Sequence, residues 1–504
     1  MGKKASQLGF TPLSPSSADK LLLSPGLSYE VLIRKDDPIG PKLKWGANND
    51  YNAYFPFDPA NPYDGMLWTN HEYPEPFMIT NSRHPNPKDW KSEKQILAEM
   101  DSVGGSLVRF HRDENGKWQI DRKDPRNRRF NAHTRIPLIA PRPIEGSLTA
   151  VGTFANCAGG KTPWGTVLTC EENTHQYFGE WDFGPLPGEK KARKVPLTYY
   201  RPDEDLGWSQ RYKRPPTHYG WVVEIHPFTG KAKKLTALGR FAHESALCVP
   251  AKDGRTVVYM GEDVADRFVY KFISERPGSL DSGTLYVANL DKKRWMPLTM
   301  DAHPDFSWRF RDQLDLLIQA PQAALLLGAT PLDRPEDIDR DPVTGDIIVV
   351  LTNNKSKGRP HGSLMRISED PLSLEFSWKT WIAGGAESGL SCPDNLTFDA
   401  AGNLWVTSDM SSRDMAKGSL KPFLNNGLYC IPMAGSDAGK VFQVASAPTS
   451  AEFTGPEFLP DGSLLLSVQH PGEVTAKVMP ATRDSSWPDG PGHDPKSSVV
   501  LIRF

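Results

Sequence analysis

Five cysteines in 504 residues, at 157, 170, 248, 392 and 430, are too few and too scattered for a disulfide framework, so they leave the redox compartment open. No apolar run approaches the roughly 18 residues that a membrane span needs. Charge of one sign is missing too: 59 Lys and Arg stand against 61 Asp and Glu, a formal net charge of −2. That balance gives no global nucleic-acid or membrane-surface character. No signal-peptide pattern opens the chain. Met1-Gly2-Lys3-Lys4-Ala5-Ser6 fits a myristoylation pattern, although an artificial start or a trimmed export signal is the simpler account. The sequence also lacks a Walker loop, a Gly-x-Ser-x-Gly elbow, a His-Glu-x-x-His helix and a Cys-x-x-Cys pair. Nucleotide-loop chemistry, covalent Ser-His-Asp catalysis and finger-type zinc are therefore unsupported.

What is present points to β structure. Aromatics at 10%, with 14 Trp, argue for a packed core rather than a disordered chain. Helix patterns are confined to Ser92 to Met100 and Arg311 to Leu327. Elsewhere short apolar runs are cut by Gly, Pro, Asp and Asn, which predicts strands and turns. One phrase recurs six times: a turn with Gly and usually Asp or Pro, an apolar run, then polar residues of metal-ligating type. It starts at Asp64, Pro163, Asp253, Thr344, Ala401 and Asp461, and it ends at Asn70-His71-Glu72, Cys170-Glu171-Glu172-Asn173, Glu262-Asp263, Asn353-Asn354, Asp409 and Gln469-His470. Six copies of one supersecondary phrase predict an all-β, six-bladed propeller whose blade strands bring these ends to a central channel. The expected organisation is an irregular arm over residues 1–45, then one propeller domain over 46–504 with a few inserted helices and loops. The Pro-, Lys- and Arg-rich stretch 179–216 is the clearest insertion and is expected to cover one face.

Several segments carry chemistry. The adjacent carboxylates of Cys170-Glu171-Glu172 cannot both ionise in a dry site without cations. Carboxylates suit Ca²⁺ or Mg²⁺ and a thiolate suits a transition metal, so a Cys beside Glu suggests a mixed site. His243-Glu244 and Glu262-Asp263 are further acidic spots. Asp333-Arg334-Pro335-Glu336-Asp337 is the most concentrated: Pro335 stiffens it, Glu336 suits a cation, and Arg334 has the planar fork for a phosphate or carboxylate. Cys392-Pro393-Asp394-Asn395 reads first as an ordinary turn, with the channel as the alternative.

The stretch Phe154-Ala155-Asn156-Cys157-Ala158-Gly159-Gly160, running on through Trp164-Gly165 to Cys170-Glu171-Glu172-Asn173, resembles PhoX-type alkaline phosphatases. So do Leu238-Gly239-Arg240-Phe241 with His243-Glu244, Asp333 to Asp337, Pro393-Asp394-Asn395, and Ser467 to Glu473. The resemblance covers about residues 25–504. It implies a six-bladed propeller that hydrolyses phosphomonoesters at a cluster of ferric iron (Fe³⁺) and Ca²⁺ joined by an oxo group. By motif position it implies Cys170 as the iron thiolate and Glu171, Glu172 and Glu244 as carboxylate ligands. It implies Asp263 and Glu336 on the calcium side, and Arg334 as the group that holds the phosphoryl, with Glu336 beside it. It further implies small phosphomonoester substrates, no nucleic-acid partner, a monomer, and export to the periplasm or beyond. Three stretches depart from the family pattern: Lys35-Asp36-Asp37-Pro38, Gly261-Glu262-Asp263, and the short run from Asn354 to Gly362. Two other readings stay open from the residues: a calcium-dependent propeller lactonase or phosphotriesterase, and a non-catalytic propeller that binds a partner.

Overall fold

The computed structural model describes residues 10–80, 91–183, 199–201, 206–473 and 484–504. Half of the predicted insertion at 179–216, and the Met1-Gly2 start, lie outside the described residues.

The architecture is a six-bladed β-propeller. The strands nearest the axis are Asn49–Asp58, Asn156–Lys161, Leu247–Pro250, Pro335–Arg340, Pro393–Phe398 and Glu452–Phe458. Each pairs antiparallel with the next strand out, and those six second strands are Asn61–His71, Val167–Glu171, Thr256–Gly261, Ile347–Leu351, Leu404–Ser408 and Leu464–Gln469. The recurring phrase thus marks the second strand of every blade, one position out from the axis. The ring closes through the arm: Ser28–Arg34 pairs with the C-terminal strand Ser498–Arg503 in the sixth blade. Leu22–Leu23 adds an edge to the fifth.

The phrase folds as it does because of its turns. Gly254, Gly345, Gly402 and Gly462 take φ of 85°, 78°, 80° and 82°, which costs only glycine nothing. Beside them Asp253, Asp341, Asp399 and Asp461 accept backbone N–H bonds from residues two positions on. The first blade differs: Asp64-Gly65 lies inside the strand Asn61–His71, and its turn falls at Pro59-Ala60.

The second strands are apolar on both faces because each is sandwiched between two blades. Leu464, Leu466 and Val468 pack toward the fifth blade, while Leu465 packs toward the first. Val257 and Tyr259 face the fourth blade, Val258 and Met260 the second. One apolar cluster fills each of the six interblade gaps. Both predicted helices exist with shifted bounds. Ser92 caps Glu93–Ser102 in a capping box with Gln95. The 311–327 pattern splits into Gln313–Ile318 and Ala320–Leu326, because Pro321 cannot continue the first helix through Gln319.

Candidate metal centre

Strand direction alternates along each blade, so the starts of the six inner strands and the ends of the six second strands meet at one mouth of the channel. A pocket of about 240 Å³ lies there. The inner strands supply Asp50, Cys157, Glu336, Asp394 and Glu452, and the segment before the third supplies Glu244. The second-strand ends supply Glu72, Glu172, Asp263, Asp409 and Gln469. A larger, mostly apolar cleft of about 700 Å³ opens at the opposite end, between the hairpin turns of the fifth and sixth blades. It contains no comparable acid cluster, so the smaller pocket is the chemical site.

A repeated backbone device aims the inner-strand residues. Asn48, Ala155, Arg334, Cys392 and Ser450 have φ of 45°, 54°, 54°, 48° and 57°, and each lies two residues before a pocket residue. Register shifts follow at Asn49/Asn52, Asn156/Gly159, Pro335/Ile338, Pro393/Leu396 and Thr454/Glu457. A left-handed residue followed by a bulge re-aims a side chain that regular alternation would bury between blades. The left-handed positions cost energy that the surrounding ring must hold. Gly160 lets two blades close on the pocket: a Cβ there would sit 2.0 Å from the Ala246 carbonyl oxygen.

The pocket atoms form three overlapping groups whose ligand atoms lie within 4.8 Å of one another: Asp50 with Glu72 and Cys157, Cys157 with Glu172 and Glu244, and Glu244 with Glu336 and Asp394. Cys157 Sγ lies 3.2 Å from Glu244 Oε1 and 3.6 Å from Asp50 Oδ2. Asn70 fixes the Cys157 main chain by donating to the carbonyls of Cys157 and Ala158. Gln469 donates to Asp50 at 2.9 Å and to Glu72 at 3.0 Å. Arg334 grips Asp263 with both arms, Nε to Oδ1 at 2.8 Å and Nη2 to Oδ2 at 2.9 Å. Its Nη2 also lies 2.8 Å from Glu336 Oε1, at an angle that makes no hydrogen bond.

The electrostatics are lopsided. Ten carboxylates line the pocket against one arginine and one histidine. Burial, reinforced by neighbouring acids, pushes Asp50, Glu172 and Glu244 well above the usual carboxylate range. Burial raises Glu336 likewise, although Arg334 opposes it. Burial brings Glu72 to about 7, against the Gln469 bond. Burial disfavours a charged His470, but Glu473 and Glu75 outweigh it and raise its pKa. Buried Asp50 Oδ1 and Glu244 Oε2 have no hydrogen-bond partner. Acids crowded and orphaned in this way fit bound cations. Two of the three groups contain the thiol and suit a transition metal; the all-oxygen group Glu244, Glu336 and Asp394 suits Ca²⁺.

The structure brings Glu172, Glu244, Asp263, Arg334 and Glu336 together, as the sequence suggested, and turns two others away. Cys170 follows Leu168 into the apolar gap between the second and third blades, because side chains two apart in a strand share a face. The cysteine on the pocket is Cys157, inside the same quoted motif. Glu171 points to Lys234 Nζ at 2.6 Å, with both side chains fully buried. Glu262 likewise turns away, accepting from Tyr270 at 2.8 Å. The fourth-blade phrase end does not reach the pocket: Asn354 binds Asp266 at 2.9 Å. Asp50 and Glu452 went unread in the sequence; Glu72 and Asp409 stand at ends of the recurring phrase, and Asp394 in a segment read first as a turn, but none of the three was named as a ligand.

A six-bladed propeller with a thiol and clustered acids at one mouth defines a propeller built to hold metal ions. The family model for the alkaline phosphatase PhoX matches residues 8–472, and the chain belongs to that family of metal-dependent alkaline phosphatases. Among solved structures, Pseudomonas fluorescens PhoX in complex with vanadate, a transition state analogue, is similar at 29% identity and a TM-score of 0.84, over 98% of each chain. A Dyadobacter fermentans protein of unknown function reaches 11% identity and a TM-score of 0.42, over 95% of this chain and 100% of its own. No curated protein matches. No helix among the described residues is long and apolar enough to cross a membrane.

Proposed function

We propose that this chain hydrolyses small phosphomonoesters at an iron and calcium centre in the pocket, acting as a monomer in the periplasm or outside the cell. The observation that carries the reading is Cys157, a thiol shared by two of three overlapping ligand groups. A calcium-only lactonase or phosphotriesterase has no use for a thiolate there. Asp50, Glu72, Cys157 and Glu172 would hold iron, and Glu244, Glu336 and Asp394 would hold calcium, with Asp263 beside them. When bound, the cations supply Lewis-acid polarisation of the phosphoryl oxygens. Arg334 supplies the planar donor fork for the same group. Asp263 fixes that fork from one side through Nε and Nη2, which leaves Nη1, held only by a long 3.4 Å contact to Asp409, as the donor for a phosphoryl oxygen. The Pseudomonas relative holds vanadate, a transition state analogue, which supports this reading.

The test is hydrolysis of p-nitrophenyl phosphate at alkaline pH by protein stripped with EGTA and then resupplied with Ca²⁺, with iron counted by elemental analysis. Activity that disappears and returns, with iron retained, is the expected result. Folded protein that hydrolyses the ester equally well after stripping, or that contains no iron, would overturn it.

A further inference from the structure

Glu171 is one residue from Glu172, and its main chain touches the segment that carries Glu244. Its N–H donates to the Trp221 carbonyl at 3.2 Å, and its carbonyl accepts from His243 N–H at 3.2 Å. The next residue on each side of that last bond, Glu172 and Glu244, enters the pocket in one ligand group with Cys157. Glu171 therefore stands at the crossing between the second and third blades.

Its side chain is pinned on every side. Oε2 accepts from the N–H groups of Gly220 and Trp221 at 3.1 and 3.2 Å, and Oε1 accepts from Lys234 Nζ at 2.6 Å. Lys234 also donates to the His218 carbonyl at 3.0 Å and lies 4.6 Å over the Tyr219 ring. Neither side chain reaches solvent or the pocket.

We infer that Glu171 and Lys234 are a positioning pair that fixes the spacing of Glu172 and Glu244 and so sets the calcium affinity of the pocket. This rests on the reading that those two carboxylates hold cations. Groups that orient ligands from behind typically change metal affinity about 10–100-fold when removed.

The molecule holds its own control. Lys271 and Glu369 form a second fully buried pair at 2.8 Å, between the third and fourth blades and away from the pocket lining. Calcium binding is measured by calorimetric titration of EGTA-stripped protein, with melting temperatures taken in EGTA. Lys234→Met is expected to weaken Ca²⁺ binding about 10–100-fold, while Lys271→Met lowers the melting temperature and leaves binding within about twofold. Glu171→Asp, which keeps the charge but cannot span both the lysine and the two N–H groups, is expected to weaken binding as well, and serves if Lys234→Met does not fold. Parental affinity in both site variants, or an equal loss in Lys271→Met, would reduce the pair to a role in the fold. A parent protein that binds no Ca²⁺ would sink the metal reading, and this inference with it.

Discussion

Two kinds of buried carboxylate share this propeller. Glu99, Glu171 and Glu369 each lie against a buried lysine, Lys91, Lys234 and Lys271, at 2.8, 2.6 and 2.8 Å. Tryptophan N–H groups add to two of them, Trp208 to Glu99 and Trp295 to Glu369. Six of the ten pocket acids, Asp50, Glu172, Glu244, Asp263, Glu336 and Asp394, are buried too, yet the ten share one arginine and one histidine. Burial raises the carboxyl pKa in both sets, so depth does not separate them. Provision of a cation by the chain does. The paired acids find their cation within the chain, and the pocket acids, on the proposed function, take theirs from outside.

The largest effect should come from breaking the unpaired set. Glu244 belongs to two of the three ligand groups, and Cys157 to two. Glu244→Gln and Cys157→Ala should each lower kcat by at least about 10²-fold and reduce metal content. In EGTA the Glu244→Gln protein should melt higher than the parent, because a neutral side chain removes repulsion among buried acids. A lower melting temperature there would place Glu244 with the paired set. Arg334→Ala should cost about 10²–10³-fold in kcat with metal content retained, and equal activity would remove it from the site.

Breaking the paired set should look different. Lys271→Met leaves Glu369 buried without its cation, though still bonded to Tyr259 and Trp295. A loss of about 3–5 kcal/mol in urea unfolding is expected, with catalysis by the folded fraction unchanged.

The pH dependence sharpens the contrast. Glu72 is held at about 7 by burial, against an ordinary value of 4.5. Burial likewise holds Asp337 at about 6 and Asp339 at about 7. The folded state then binds more protons than the unfolded state between about pH 4 and 7, so stability without metal falls as pH rises through that window. Protein stripped of both iron and calcium should melt higher at pH 5 than at pH 8, and restoring the metals should remove the share that Glu72 contributes while leaving that of Asp337 and Asp339. A metal-free melting temperature that rises across the window would contradict the assignment of these acids as protonated in the fold.

Much of this was legible in the chain, for identifiable reasons. The recurring phrase is visible because its turns need Gly and Asp and its strands are apolar on both faces. It therefore reveals six blades and the second-strand residues Glu72, Glu172, Asp263 and Asp409. The inner strands resist reading because their device is a backbone conformation, with no shared residue type. Asn48, Ala155, Arg334, Cys392 and Ser450 adopt it alike. Only the spacing repeats: one residue later comes Asn, Pro or Ala, and then the Asp, Cys or Glu that enters the pocket. Asp50 and Glu452 are hidden by that variety.

Cys170 shows what the smallest effect can decide. Motif position made it the thiolate, whereas strand alternation puts it with Leu168 among apolar side chains. Burial pushes the thiols of Cys157 and Cys170 alike well above the ordinary range, so their neighbours, and not titration, separate them: acids around Cys157 and apolar side chains around Cys170. Cys170→Ala removes one buried sulfur from a packed interblade gap and should cost about 1 kcal/mol. Iron content and kcat should stay at parental values, in direct contrast to Cys157→Ala. Loss of iron in Cys170→Ala with iron kept in Cys157→Ala would mean that the second strand of the second blade, Val167–Glu171, is out of register by one residue, since a one-residue slip exchanges its two faces.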